Sequence, residues 1–273
     1  MTKPKPHPGY YLTDDDLAVL RFLEAHRFAT APQIARWRQT SQQAVWHRFK
    51  RLRALGLVES DVVPFTRCHR VHWLTEAAYK RLGSVYAHAV TPTSARIEHD
   101  LACTDLAVTY RLKNPGIEMV TERQISRDLY LARRGWRTDP EPGPWMIHHD
   151  DQGGTHSPDL VLITKEPLDP DDPTAGTRDR FHCTEAELHG KGTVRLKRIM
   201  RSMMSDDRVA SLTYFTPSTT QRDRLAAIYE GLRTEFPADR FGDDWFLIRK
   251  YVPLHSTLFE HPNGRDGQPR KTA

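Results

Sequence analysis

The sequence predicts an α+β chain built in two parts. Three observations predict it: four hydroxyl-led apolar runs in the first third, two β-rich stretches between the third and fourth run, and alternating strand and helix patterns thereafter. With 273 residues, the chain is long enough for two domains of ordinary size.

Residues 1–9 hold three prolines and no apolar pattern, which predicts a flexible lead-in over residues 1–12. Thr13 precedes Asp14-Asp15-Asp16, carboxylates suited to the positive end of a helix, and Leu17, Leu20 and Leu23 give that helix an apolar stripe. Thr30 with Gln33, and Thr40 with Gln43, match capping boxes that open a second and a third helix. Thr75 opens a fourth, ending near Gly83. Between the third and fourth helices, Leu57–Val63 and Arg70–Leu74 have strand character, with Pro64 and Thr66-Arg67 turning the chain. Three helices, strand, loop, strand and helix make a winged helix-turn-helix over residues 13–84, whose third helix would occupy a DNA major groove.

A connector over residues 85–95 leads to an α/β domain over 96–255. Arg96–Leu112 reads as a helix with Leu101, Asp105 and Val108 on successive turns, and Met119–Ile125 as a strand. Leu160–Thr164 and Arg180–Leu188 read as strands flanking a solvated Asp- and Pro-rich loop over Glu166–Thr177. Helix Arg195–Met204, strand Leu212–Phe215, helix Gln221–Leu232 and strand Trp245–Val252 complete the alternation. The turn-rich stretch over 260–273 predicts a disordered tail.

Composition narrows the class. Hydrophobic residues at 38% and charged residues at 27% describe a globular chain. No run approaches the ~20 apolar residues of a membrane span, and the first residues lack a secretory apolar segment, so a cytoplasmic protein without membrane contact is expected. Cys68, Cys103 and Cys183 lack C-x-x-C spacing and are expected to be reduced thiols. The net charge is +5, but Met1–Gly83 alone holds 14 Lys/Arg against 7 Asp/Glu, or 14 − 7 = +7. An anionic partner is therefore expected at the N-terminal part.

From Arg36 to Arg53 there are six basic residues and no carboxylate. Val45, Phe49 and Leu52 share one helix face and would anchor the third helix to the first. That leaves Ser41, Gln42, Gln43, His47 and Arg48 for base edges and Arg51 for phosphate, with Arg38 and Lys50 as further candidates for contact with double-stranded DNA. Arg67, His69 and Arg70 on the wing are candidates for phosphate or minor-groove contact, with a surface turn as the alternative. An ordinary solvated face or a protein-docking surface stands as the alternative.

Further along, Ser157-Pro158-Asp159 places an acid at the mouth of a buried strand. In Thr184-Glu185-Ala186-Glu187, period two puts both glutamates on one face. Asp159 and Glu185, with Glu187, form a candidate oxygen site for Mg²⁺, able to activate water at a phosphate. A strand edge facing solvent, paired with Lys191 and Arg195, is the plain alternative. His99 and Asp100 are a candidate pair set against a helical histidine satisfied by a neighbour; His148 and His149 read as part of a solvated loop. Lys191, Arg195, Lys197, Arg198 and Arg201 form a basic run that suits either a nucleic-acid backbone or solvent.

These acids resemble those of the PD-(D/E)xK nuclease superfamily, whose pattern ends in an acid, one residue and lysine. Asp159 and Glu185 match the two acids. Glu187 stands at the lysine position, with Lys191 a turn further on as its substitute, and Glu122 resembles an additional upstream acid. The resemblance implies a restriction-endonuclease-like fold with Asp159, Glu185, Glu187 and Lys191 as catalytic candidates and Mg²⁺ as cofactor if the site is active.

Taken in order, the winged helix, Glu98-His99-Asp100-Leu101-Ala102, Thr121-Glu122-Arg123, Pro158-Asp159 and Glu185–Lys191 resemble the replication-relaxation family of bacterial plasmids and mobile elements. This implies sequence-selective DNA binding in replication, mobilisation or their control, with a homodimer and replication or mobilisation proteins as candidate partners. A metal-dependent nuclease and a ligand-responsive transcription regulator remain the alternatives.

Overall fold

The computed structural model describes residues 11–62, 70–85, 94–135, 148–149, 155–169, 171–172 and 174–253. Arg67, His69, Cys68, most of the connector and the expected tail lie outside them. Helix α1 (Asp14–His26) begins where two groups satisfy each other: Thr13 Oγ1 accepts from the Asp16 N–H at 3.2 Å, and the Asp16 carboxylate accepts from the Thr13 N–H at 2.9 Å. Its buried face is Val19, Leu20, Phe22 and Leu23. Leu17, placed in that stripe by periodicity, is exposed, and the buried position one turn before Leu20 belongs to Asp16.

Strand β1 (Ala29–Thr30) leads into α2 (Ala31–Arg38), which carries the expected Thr30–Gln33 capping box. Helix α3 (Gln42–Ala54) departs from expectation at its cap. Ser41 rather than Thr40 accepts from the Ala44 N–H, at 3.2 Å, because the Thr40 N–H already donates to the Ala35 carbonyl that closes α2. Strands β2 (Val58–Val62) and β3 (Arg70–Leu74) pair antiparallel, β1 joins β3, and α4 (Glu76–Arg81) follows. Val45, Phe49 and Leu52 are buried with Leu20, Leu23 and Ile34, as the pattern predicts. Each such side chain contributes about 1.5–3 kcal/mol.

His72 on β3 is buried and stacks on Phe49, with ring centroids 3.7 Å apart. Burial, reinforced by Arg53 and Arg70, pushes its pKa down to about 3. Below its unfolded pKa of about 6.5 the unfolded chain takes up a proton that the folded chain refuses, so stability is lost as pH falls from about 6.5 toward about 3. His72→Phe keeps the stack and removes the titration. Urea unfolding at pH 7 and pH 4.5 is expected to show a pH-dependent loss smaller by about 2–3 kcal/mol in this variant. An equal loss in both proteins would refute the assignment.

The second part opens with α5 (Ser94–Lys113), β4 (Glu118–Thr121) and α6 (Glu122–Arg133). The strand expected over Met119–Ile125 stops at Thr121, whose hydroxyl accepts from the Gln124 N–H while the Gln124 side chain accepts from the Thr121 N–H. That capping box turns the chain into a helix. His148–His149 (β5) pairs with Thr155–His156 (β6), so a short ladder replaces the loop expected at the histidines. There follow β7 (Leu160–Pro167), β8 (Thr177–Ala186), α7 (Thr193–Met204), β9 (Val209–Thr216), α8 (Thr219–Arg233) and β10 (Phe246–Lys250).

These strands form a sheet in the order β10-β9-β8-β7-β4. The β4/β7 and β7/β8 pairs are antiparallel, whereas β8/β9 and β9/β10 are parallel. Alternation sorts the side chains: Val161, Ile163 and Cys183 pack with α7 and α8, while Leu160, Leu162 and Ala186 pack with Ala102 and Leu106 of α5. Helix α5 serves the first part as well. Val108 joins the core of α1 to α4, and Ile97 and Leu101 cover Phe28, Val71 and Trp73. Polar contacts add to this: Gln33 donates to the Leu101 carbonyl and to Asp105, and Arg27 Nη1 bridges Asp100 at 3.1 Å and Glu122 at 3.0 Å. No helix among the described residues is long and apolar enough to cross a membrane.

Candidate functional site

Two constellations stand out, one on α3 and one at the end of the larger sheet. On α3 the burial of Val45, Phe49 and Leu52 turns Gln42, Gln43, His47 and Lys50 outward, with Ser41 exposed at the cap. Trp46 is 46% exposed among them, with Lys50 Nζ 5.6 Å from its ring centre and His47 packed edge-on. Pattern reading overlooked Trp46, although a tryptophan off the 45-49-52 stripe is itself a signal of an exposed aromatic. Ala44, His47, Arg48, Lys50, Arg51 and Ala54 line a groove of about 490 Å³ along this helix. Arg70 on β3 is exposed.

Arg48 and Arg51 depart from the expectation of free cations. Arg48 pairs with Asp16 at 2.9 Å and Asp15 at 3.0 Å, Arg51 pairs with Asp16, and Arg38 pairs with Asp15. Helix α3 has no carboxylate of its own, but its packing against α1 brings that helix's first turn alongside. Burial alone would raise the Asp16 pKa; the Arg51 guanidinium and the Thr13 donors outweigh it and hold the carboxyl below its usual value. Arg48 and Arg51 remain about a quarter exposed, 26% and 29%. The helix therefore offers an open N-terminal edge and a second row of arginines held in place by acids.

At the sheet, Asp159 precedes β7 and Glu185 lies near the end of β8. Asp159 Oδ2 accepts from the Ala186 N–H at 2.8 Å, and its Oδ1 lies 3.0 Å from His99 Nε2 on α5. Glu185 Oε1 faces His156 Nε2 at 2.8 Å. Lys191 Nζ lies 2.8 Å from Glu187 Oε2 and 3.5 Å from Glu185 Oε2, so the expected common face of the two glutamates is built around that lysine. Glu185 and Glu187 are 0% and 1% exposed, which rules out an edge facing solvent. His99 and Asp100 diverge: the histidine meets Asp159, the aspartate Arg27. Glu122, the upstream acid, pairs with the same Arg27 rather than entering the cluster.

Charge compensation sets the protonation states. Burial opposes a proton on His99, but the Asp159 hydrogen bond and charge override it, aided by Asp100 and Glu185, and its pKa rises to about 9. Burial would likewise raise Glu185; His156 and Lys191 pull it down to about 2. Lys191 is held above its ordinary value by Glu185 and Glu187 despite burial. The pair expected to share Mg²⁺ therefore does not fit that ion. Both Asp159 oxygens and Glu185 Oε1 are engaged, leaving Glu185 Oε2 as the carboxylate oxygen of this pair with no hydrogen bond from the described residues. Mg²⁺ requires near-octahedral oxygen coordination. In the basic run, Lys191 belongs to this cluster, Arg201 pairs with Glu235, and Arg195 and Lys197 are exposed.

The family model described as replication-relaxation matches residues 20–219, well over half of the chain. The chain belongs to the replication-relaxation family. The match runs from within α1 to the start of α8, so α3 and the carboxylate cluster of the sheet lie inside it, while Asp15 and Asp16 precede it. It agrees with the resemblance carried by the ordered motifs. A comparison with curated proteins gave no match. Among solved structures, Lactococcus lactis ZitR, as a cysteine-to-serine mutant in complex with DNA, matches at 20% identity over 49% of this chain and 81% of that chain, with a TM-score of 0.25.

Proposed function

We propose that this replication-relaxation protein binds double-stranded DNA through the exposed edge of α3 and acts in replication or mobilisation of a plasmid or mobile element, or in their control. The observation that carries the reading is the outward row Gln42, Gln43, His47 and Lys50, on the third helix of a helix-helix-helix-wing arrangement. Glutamine can pair bidentately with adenine, and Lys50 supplies a phosphate contact. Arg48 and Arg51, held by Asp15 and Asp16, are positioned beside that row instead of leading it. Membership of the family supports the replication setting.

The triple variant Gln42→Ala, His47→Ala, Lys50→Ala tests this reading. In fluorescence anisotropy with a labelled duplex, affinity is expected to fall at least about tenfold and the salt slope by about 1. Unchanged affinity and slope would remove the proposal.

A second reading, a metal-dependent DNA endonuclease, is supported by the antiparallel β4-β7-β8 run followed by α7 and parallel β9, with Asp159, Glu185, Glu187 and Lys191 near one end. The engaged state of Asp159 and Glu185 speaks against it. Supercoiled plasmid nicked in the presence of Mg²⁺ or Mn²⁺, and left intact by Asp159→Ala, would establish cleavage; plasmid that stays supercoiled retires it.

A further inference from the structure

We infer that His99, Cys103 and Asp159 form a binding site for a borderline transition-metal ion, with Zn²⁺ the best match. His99 and Cys103 are four residues apart on α5 and so share a helix face, and Asp159 meets them from the mouth of β7. Asp159 Oδ1 lies 3.0 Å from His99 Nε2, Cys103 Sγ lies 3.6 Å from the same nitrogen, and the three donor atoms all fall within 4.8 Å of one another. Tetrahedral zinc, with bonds of about 2.0 Å to N and O and about 2.3 Å to S, places N and O about 3.3 Å apart and N and S about 3.5 Å apart. The N-to-O and N-to-S separations lie within about 0.3 Å of that set.

A thiol, an imidazole and a carboxylate in contact also suggest a nucleophile relay. In a relay the acid and the nucleophile hold opposite ring nitrogens. Here both contacts fall on Nε2, which suits three lone pairs converging on one ion and not a proton passing through the ring.

The supporting shell is in place. Asp159 is fixed through its other oxygen by the Ala186 N–H, and a zinc ion bound to both Oδ1 and His99 Nε2 takes the place of the proton they share, an exchange open to an imidazole ligand but not to the oxygen set that Mg²⁺ requires. Glu185, fully buried, has an oxygen without a hydrogen bond from the described residues and acts electrostatically on both His99 and Cys103. His99 is 30% exposed and Cys103 partly so, which gives an ion a way in. Imidazole with thiolate selects zinc over Mg²⁺, and three protein ligands leave a fourth position for water. Binding releases one proton from His99 Nε2 and one from Cys103 Sγ, and ties α5 to β7. The inference stands independently of the DNA reading.

Cobalt(II), the spectroscopic stand-in for zinc, tests it on the full chain. Titration of metal-free protein is expected to give one equivalent of tetrahedral Co²⁺, with strong visible bands and a thiolate-to-cobalt charge-transfer band in the near ultraviolet. Stoichiometric Zn²⁺ bleaches them and excess Mg²⁺ does not. Cys103→Ser loses the charge-transfer band, His99→Gln weakens metal binding at least tenfold, and the rise in Tm with Zn²⁺ expected of the parent disappears in both. Circular dichroism checks that both variants fold. Absence of the cobalt bands, their persistence in Cys103→Ser, or their displacement by Mg²⁺ would overturn the assignment.

Discussion

Replacing Asp16 with alanine is expected to destabilise the protein by about 3–5 kcal/mol, the range for breaking a buried ion pair by removing one partner. Asp16 is 0% exposed and joins Arg48, Arg51 and the Thr13 backbone and hydroxyl. Its loss opens the capping box of α1 and leaves two guanidinium groups without their buried acid. Asp15 gives the contrast. It is 51% exposed and pairs with Arg38 and Arg48 at the surface, so Asp15→Ala should cost no more than about 1 kcal/mol. It also frees Arg38, while Arg48 keeps Asp16, and duplex affinity should rise about twofold at low salt. Urea denaturation and anisotropy measure the two effects. A loss below about 1 kcal/mol in Asp16→Ala would show that the acids do not hold α3 as described.

Lys191→Met is expected to cost a similar amount, about 3–5 kcal/mol. The ammonium is the shared cation between two carboxylates with almost no exposure, and methionine keeps its apolar stem while stranding Glu187 and leaving Glu185 with His156 alone. Adding Glu187→Gln to Lys191→Met removes one stranded charge and should recover at least about 1 kcal/mol, since groups in direct contact do not add. Strict additivity in the urea midpoints, with Glu187→Gln alone as the fourth corner, would mean that the lysine does not pair with Glu187.

What pattern reading could and could not reach divides along distance in the chain. The Thr30–Gln33 box and the Val45, Phe49 and Leu52 stripe lie within a few residues and follow from helical spacing. Thr121–Gln124 carries the same capping signal, yet the apolar run Met119–Ile125 also fits a strand, and hydrogen bonding at Thr121 decides the matter. Period two puts Glu185 and Glu187 on one face, but their burial depends on Lys191 folding back to donate its own N–H to Glu187 Oε1 at 3.0 Å. Asp15 and Asp16 precede Arg48 by more than thirty residues, and only the packing of α3 on α1 reveals that the cations have acids of their own. The same holds for His99 and Asp159, whose meeting requires α5 laid against the sheet.

Because α5 is a wall of two rooms at once, the front of the chain is not a detachable cassette. An exchange between relatives that swapped everything before Ser94 would hand Phe28, Val71 and Trp73 a foreign cover in place of Ile97 and Leu101. Gene fusions that preserve the α1–α4 module should therefore break beyond Lys113, where that wall ends, and the chain's ancestry should read as one lineage across both parts.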